Sequence, residues 1–430
     1  MLVGLFFLFE IKQNNKSLIL EQTPQPSSIS SSSRPSFFKE ISSSRIIGKI
    51  AFVLDGEIWT VNADGENLKK ITNDQYYKSY LSISPDGQKI AFAFYPKDES
   101  KRTDSITVNN YQGSNTGLGS IDLNTNQTQI LIPYGNIQNY FPTWSLDNRY
   151  ISIWVGSGKG SKIIETSSGN IILSLGSEGG VNTGVSPIVW MSSANKISFI
   201  ENGSLIISNA DGSNKETIAT GVDSFVTVFE APSIPQPPFW SKSGRYVTFY
   251  KHGDLYLRDV INNTSVLIGE ALELEDGPIN YSPAVYSVAF NLDETKLYLG
   301  GGSVDYLVKG TSKVLDIVTG KVQEIADLGE SLTISPNKQI LLGLEESRKA
   351  HTVKSKVVII NLSDNSKREC PGELSYTYPF YANWLIRSWS PDSKAILNNT
   401  DTGLQLFNIE DCTVFNLIDG KEIWSVVWFP

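Results

Sequence analysis

From residue 48 to residue 430 one short unit recurs, and no other feature constrains the fold so tightly. Each copy is an apolar strand ending in an aromatic or aliphatic residue, then a tight polar turn. A Lys or Arg and a second apolar strand follow. The clearest copy is Ile83-Ser84-Pro85-Asp86-Gly87-Gln88-Lys89-Ile90-Ala91-Phe92. Equivalents open at Trp144, Trp190, Trp240, Phe290, Ile334 and Trp389. A third strand often begins Gly-x-(Leu/Ile)-(Tyr/Trp/Ile), as in Gly56-Glu57-Ile58-Trp59 and Gly253-Asp254-Leu255-Tyr256. An Asn/Asp/Gly turn such as Asn62-Ala63-Asp64-Gly65 then leads to a fourth strand, the turn chemistry that favours hairpins.

Four strands per unit, at steps in the forties to sixties, is the sequence pattern of a β-propeller. The ends of the pattern add to this. It begins at Lys49-Ile50-Ala51-Phe52, a second strand with no first strand before it. It stops at Trp424-Ser425-Val426-Val427-Trp428-Phe429-Pro430, a first strand and the opening of its turn. The expected fold is therefore all-β: an eight-bladed β-propeller of four-stranded antiparallel blades. The C-terminal strand joins the N-terminal blade and removes a free sheet edge. Seven blades is the alternative, because the match at Ile334 is the weakest.

The Ser84–Phe92 stretch resembles the TolB-like propeller repeat (a WD-repeat-like propeller family), whose hallmark is Ser-Pro-Asp-Gly-x-Lys-(Ile/Ala)-Ala-Phe. The resemblance covers 48–430 and implies the repeat, not an activity. TolB-type proteins imply six blades after a small α/β domain, whereas this sequence has about eight and no such domain. The blade number is closer to the dipeptidyl-peptidase-IV-type propeller. That likeness implies a serine hydrolase, and the sequence contains no Gly-x-Ser-x-Gly elbow for one.

Residues 1–9 are almost wholly apolar, too few to span a membrane and without the basic segment of a secretory signal. They read as the remnant of a membrane anchor or signal segment, a disordered cytoplasmic tail being the alternative. Residues 10–47, rich in Ser and Pro, read as a flexible linker. The expected location is thus extracytoplasmic: a bacterial cell-envelope protein, periplasmic or at the surface, held to the membrane only by its N-terminal segment. The net charge of −9 and the lack of a basic stripe exclude nucleic acid as a partner. Repeat register puts the two cysteines, Cys370 and Cys412, at opposite ends of neighbouring blades, so two free thiols are expected.

Alternating strand direction places first-to-second and third-to-fourth turns on one face, here the turn face. Second-to-third and blade-to-blade connections lie on the other, the loop face. Nearly every insertion falls on the loop face: 95–117, 300–311 and 345–355 between strands, and 222–239, 269–284 and 370–384 between blades. Variable connections on a rigid scaffold are where binding residues collect. The blade-to-blade segments are rich in aromatics, which are enriched in interface hot spots. The candidate binding residues are Tyr76, Tyr77, Tyr140, Phe141, Phe229, Tyr281, Tyr376, Tyr378, Phe380 and Tyr381. The bland reading of any one of them is packing against the mouth of a neighbouring blade.

No catalytic residue, metal site or cofactor is expected. The two histidines, His252 and His351, are two blades apart, which argues against a shared zinc site. Gly156–Lys162 lacks the spacing of a phosphate loop. The expectation is a monomeric, non-enzymatic scaffold that recognises a protein, peptide or glycan through the loop face. The alternatives are a propeller enzyme, or a calcium- or glycan-binding protein, with Glu230, Asp276 and Glu330 around a central channel. A regulatory propeller for a separately encoded hydrolase is the third.

Overall fold

The structure, a computed structural model, describes residues 46–98, 116–137, 139–155, 160–176, 184–192, 196–228, 231–235, 237–270, 272–273, 281–282 and 287–300. It also describes 312–325, 328, 331–349, 352–371, 374–377, 389–400, 403–419 and 423–430. The segments read as an anchor remnant and most of the linker, 1–45, lie outside the described residues.

The described chain is all-β: eight blades of four antiparallel strands. Blade 1 is built across the sequence. Trp424–Phe429 pairs antiparallel with Lys49–Leu54, which continues to Glu57–Asn62 and Lys69–Lys70. Blades 2 to 7 are contiguous and open on Tyr76–Ile83, Asn139–Trp144, Val189–Trp190, Phe239–Trp240, Ser287–Phe290 and Ser331–Ile334. In blade 8 the first strand is described only from Trp389, which bridges to Ile396. The weak copy at Ile334 is therefore a blade, and the count is eight.

Alternation along each strand explains the ring. Ile50 and Phe52 pack with Leu397 and Leu404 of blade 8, while Ala51 and Val53 pack with Ile90 and Phe92 of blade 2. The same arrangement repeats at every junction, giving eight apolar clusters, one between each pair of neighbouring blades. Successive side chains of a strand point to opposite faces, so both faces of each blade are buried.

The repeat's turn owes its sequence to hydrogen bonding. The Ser84 hydroxyl donates to Asp86 (2.6 Å) and accepts the amide of Lys89 (2.8 Å). Ser145, Ser335 and Ser390 do the same with Asp147, Asn337 and Asp392, and Asn291 also takes the amide across its turn. The fourth residue of the turn adopts positive φ in each of these copies and in the Ser241 copy: Gly87, Asn148, Gly244, Glu294, Lys338 and Ser393, at 57° to 76°. Only two of the six are glycine. The others hold a left-handed conformation that costs an ordinary residue about 1–2 kcal/mol, so the hydrogen bonds around the turn must offset it.

Anchor tryptophans stitch neighbours together. Trp144 donates to the carbonyl of Ser82 (3.0 Å), Trp190 to that of Thr143 (3.1 Å) and Trp389 to the Thr333 hydroxyl (2.9 Å), each on the first strand of the preceding blade.

Two expectations need correction. Cys370 and Cys412 are not free thiols but a disulfide, with Cα atoms 5.6 Å apart. A full-length fourth strand would carry Cys370 to the far face. That strand pairs over only three residues, Lys367–Glu369, and Arg368 on it reaches the carbonyls of Ile409 and Glu410 in the blade 8 turn. The cysteines meet there, inside the apolar cluster between blades 7 and 8. The loop-face insertions are also more regular than expected. Segment 345–355 extends a long hairpin, Ile340–Lys349 with Thr352–Asn361, and Leu374–Thr377 pairs onto its edge. Phe225–Val228 pairs with Ala231–Pro235, and Leu272–Glu273 with Tyr281–Ser282. Insertions of this length satisfy their backbone groups by pairing locally.

Removing residues 424–430 is expected to abolish cooperative unfolding and drive the chain into aggregates, read by size-exclusion chromatography and thermal melts. A monodisperse product with an unchanged melt would contradict the closure. Cys370→Ser, which breaks a bond spanning 42 residues, is expected to lower stability by about 2–4 kcal/mol. Denaturant unfolding with and without reductant measures it, and reductant should add nothing to the variant.

Candidate functional site

The best-described part of the loop face is the junction of blades 1 and 2. Tyr76 and Tyr77 open the first strand of blade 2, beside the second-to-third turn of blade 1. Gly56 in that turn has φ +73°, and a Cβ there would lie 1.9 Å from the Tyr77 ring. Glycine is thus required both by conformation and by the close approach of the tyrosine. The Tyr77 ring lies 5.4 Å from Tyr95 with the Lys97 ammonium 5.8 Å from its centre, while Tyr76 meets Phe94 edge-on at 4.9 Å. Both tyrosines are half-buried. They form a wall of the junction.

Beneath them lies a buried ionic network. Glu57, 1 % exposed, accepts from Thr72 (2.6 Å) and from Lys78 (2.8 Å), and pairs with Lys97. Lys78, 3 % exposed, also pairs with Asp74 and donates to the carbonyl of Tyr76 (2.8 Å). Thr72 in turn accepts the amide of Ile58 (2.9 Å). Burial pushes the Glu57 carboxyl up. The hydrogen bonds from Lys78, Lys97 and Thr72, with the Lys78 charge, outweigh it and bring the pKa down to about 2. Two carboxylates and two ammonium groups balance, so the network fixes the blade-to-blade connector without adding charge to the surface. Glu57 occupies the variable position of the Gly-x-Ile-Trp motif, and the sequence reading passed over it. The available signal was Lys78, a charge inside a run of strand residues.

The other candidates stand as follows. Tyr140 and Phe141 lie on the first strand of blade 3, Tyr281 on Tyr281–Ser282 and Tyr376 on Leu374–Thr377, so these four begin or form strands and are not loop tips. Phe229, Tyr378, Phe380 and Tyr381 lie outside the described residues, as do His351, Glu230, Asp276 and Glu330. His252 is exposed in a turn with φ +55°. Lys162 is a buried strand residue that donates to Ser174 (3.2 Å). Among the described residues no three His, Cys, Asp or Glu side chains gather as a metal site.

The fold and this face define the class as an eight-bladed β-propeller with its elaboration on one side. No family model matches the chain, and no curated protein matches its sequence. Solved structures do. A eukaryotic initiation factor is 15% identical over 89% of this chain and 99% of its own, with a TM-score of 0.55. The dihydro-heme d1 dehydrogenase NirN, in complex with DHE, is 12% identical over 92% and 77%, with a TM-score of 0.53. TolB from Acinetobacter baumannii is 14% identical over 89% and 67%, with a TM-score of 0.35. At these identities the likeness to the initiation factor and to NirN is one of fold.

Glu57→Ala is expected to destabilise the protein by about 1–3 kcal/mol, because it removes the buried carboxylate that Lys78, Lys97 and Thr72 share and leaves Lys78 to Asp74 and the Tyr76 carbonyl. The pH dependence has a definite sign. Glu57's folded pKa lies below its ordinary 4.5, so its contribution is full above 4.5 and is lost as pH falls towards 2. Denaturant unfolding between those limits should show a fall that Glu57→Gln flattens.

Proposed function

We propose that this chain is a non-enzymatic binding scaffold of the cell envelope, a TolB-like propeller that recognises a protein, peptide or glycan through its loop face. The observation that carries the reading is the one-sided elaboration. Additional paired strands, Phe225–Val228 with Ala231–Pro235, Leu272–Glu273 with Tyr281–Ser282, and Leu374–Thr377, all arise from loop-face connections. The turn face repeats one short hydrogen-bonded turn. Rigid scaffolds place recognition in their variable connections, and paired insertions lower the ordering cost of binding. The Cys370–Cys412 disulfide supports an extracytoplasmic location, since such bonds persist in oxidising compartments. The scaffold acts as a monomer.

The test is capture from a membrane extract by the full chain and by a variant in which residues 378–384 are replaced with a short Gly/Ser linker. Cys370, Leu374–Thr377 and the ring remain intact in that variant. The expected result is loss of a specific captured partner with an unchanged thermal melt; undiminished capture would reject this face.

A further inference from the structure

A second candidate site lies away from the loop face, on the outer rim between blades 4 and 5. There the fourth strand of blade 4, Glu216–Thr220, and the outer strands of blade 5 stand apart over the apolar cluster they share. The opening is a groove of about 350 Å³, the size range of small-molecule sites. Its floor is the half-buried Tyr256 ring, stacked on the buried Phe249 ring 6.0 Å away and inclined by 13°. Its polar lining combines two cations, Lys251 and Arg258, with the hydroxyls of Thr217, Thr220 and Ser265. No acidic residue lines it, although the chain as a whole carries a charge of −9.

Arg258 is the informative residue, because the repeat supplies its own control. Strand register aligns Arg258 with Val61, Ile121, Ile164, Ser208, Leu315, Ile360 and Phe407 in the other seven blades. All seven are buried, six of them apolar. Blade 5 alone puts a charge at this position. The guanidinium donates to Ser265 (3.1 Å) and to Asn263, both neutral, and its Nε is buried with no partner. The nearest acid in sequence, Asp259, is taken by Arg245 (2.7 Å). Among the described residues no carboxylate pairs with Arg258 or with Lys251, whose side chain lies against Gly221. The guanidinium thus meets only neutral acceptors, and a carboxylate entering the groove would supply the opposite charge.

We infer that this groove binds an acidic saccharide, a sugar ring bearing a carboxylate. The carboxylate faces Arg258 and Lys251, as charge-assisted hydrogen bonding favours. The apolar face of the ring lies against Tyr256, which Phe249 backs, and the sugar hydroxyls meet Thr217, Thr220 and Ser265. Each feature excludes a simpler ligand. A neutral sugar leaves both cations unused, and an inorganic anion leaves the ring floor uncovered. The inference does not depend on the loop-face reading, which concerns different residues.

The experiment is isothermal titration of the full chain with glucuronate, glucose and benzoate, each to about 10 mM, where a single-ring contact is measurable. The expected result is saturable binding of glucuronate that weakens with added salt, with glucose and benzoate at least tenfold weaker. Arg258→Leu restores the residue type found at this position in the other blades, so the variant should fold with an unchanged melt. It should weaken glucuronate at least tenfold. Lys251→Ala should weaken it less. The proposal is overturned if glucuronate does not bind, if glucose binds equally well, if benzoate binds better, or if Arg258→Leu leaves glucuronate binding intact. Capture by the 378–384 variant has no bearing on these outcomes.

Discussion

The pairing of Lys49–Phe52 with Val426–Phe429 is the constraint on which the rest of the propeller depends. Strand Lys49–Leu54 is buried on both sides, and its alternate residues complete the clusters towards blade 8 and towards blade 2. Without the last strand, blade 1 would lack its inner member and two of the eight apolar clusters would open to water. The Ser425 hydroxyl also accepts the amide of Leu81 (2.7 Å), tying the closing strand to the first strand of blade 2. The polar network at Glu57 sits at that junction, so the position of Tyr76 and Tyr77 follows from closure.

Much of the fold was legible in the sequence because its governing contacts are local. Ser84 to Lys89 makes its own hydrogen-bonded turn, and the same residue types at the same spacing do so again at Ser145, Ser335 and Ser390. The closing strand was legible because both ends of the pattern were incomplete in complementary ways. What escaped was non-local. The disulfide depends on how short the fourth strand of blade 7 is, a length that pattern alone does not fix. The hairpins inside 222–239 and 269–284 pair within single insertions, so no second copy exists against which to recognise them. At the candidate site, the tyrosines could be placed on the correct face from topology. The carboxylate that organises their surroundings could not be found, because Glu57 occupies a position where the motif tolerates any residue.

Two kinds of departure from the repeat therefore carry different information. Additions, such as Leu374–Thr377, change what one face presents while leaving the blades alone. Substitutions, such as Arg258 in a place that six of the other blades fill with Val, Ile, Leu or Phe and one with Ser, change the buried side of a blade and must be offset locally. The first kind is visible as length, the second only after the blades have been superimposed by register. A repeated fold makes that superposition possible within one chain.

Gly48 and Phe429 are in contact, with the carbonyl of Phe429 2.9 Å from where a Gly48 Cβ would be. In blade 2 this same gap, from first strand to second, is spanned by Ser84-Pro85-Asp86-Gly87-Gln88. In register Pro430 stands at the place of Pro85 and Gly48 at that of Gln88, so a link filling the places of Asp86 and Gly87 would make blade 1 continuous, and the backbone could then be opened between any two other blades. The seam is in this sense a matter of where the polypeptide was cut, and a circularly permuted version would have the same eight junctions in the same order.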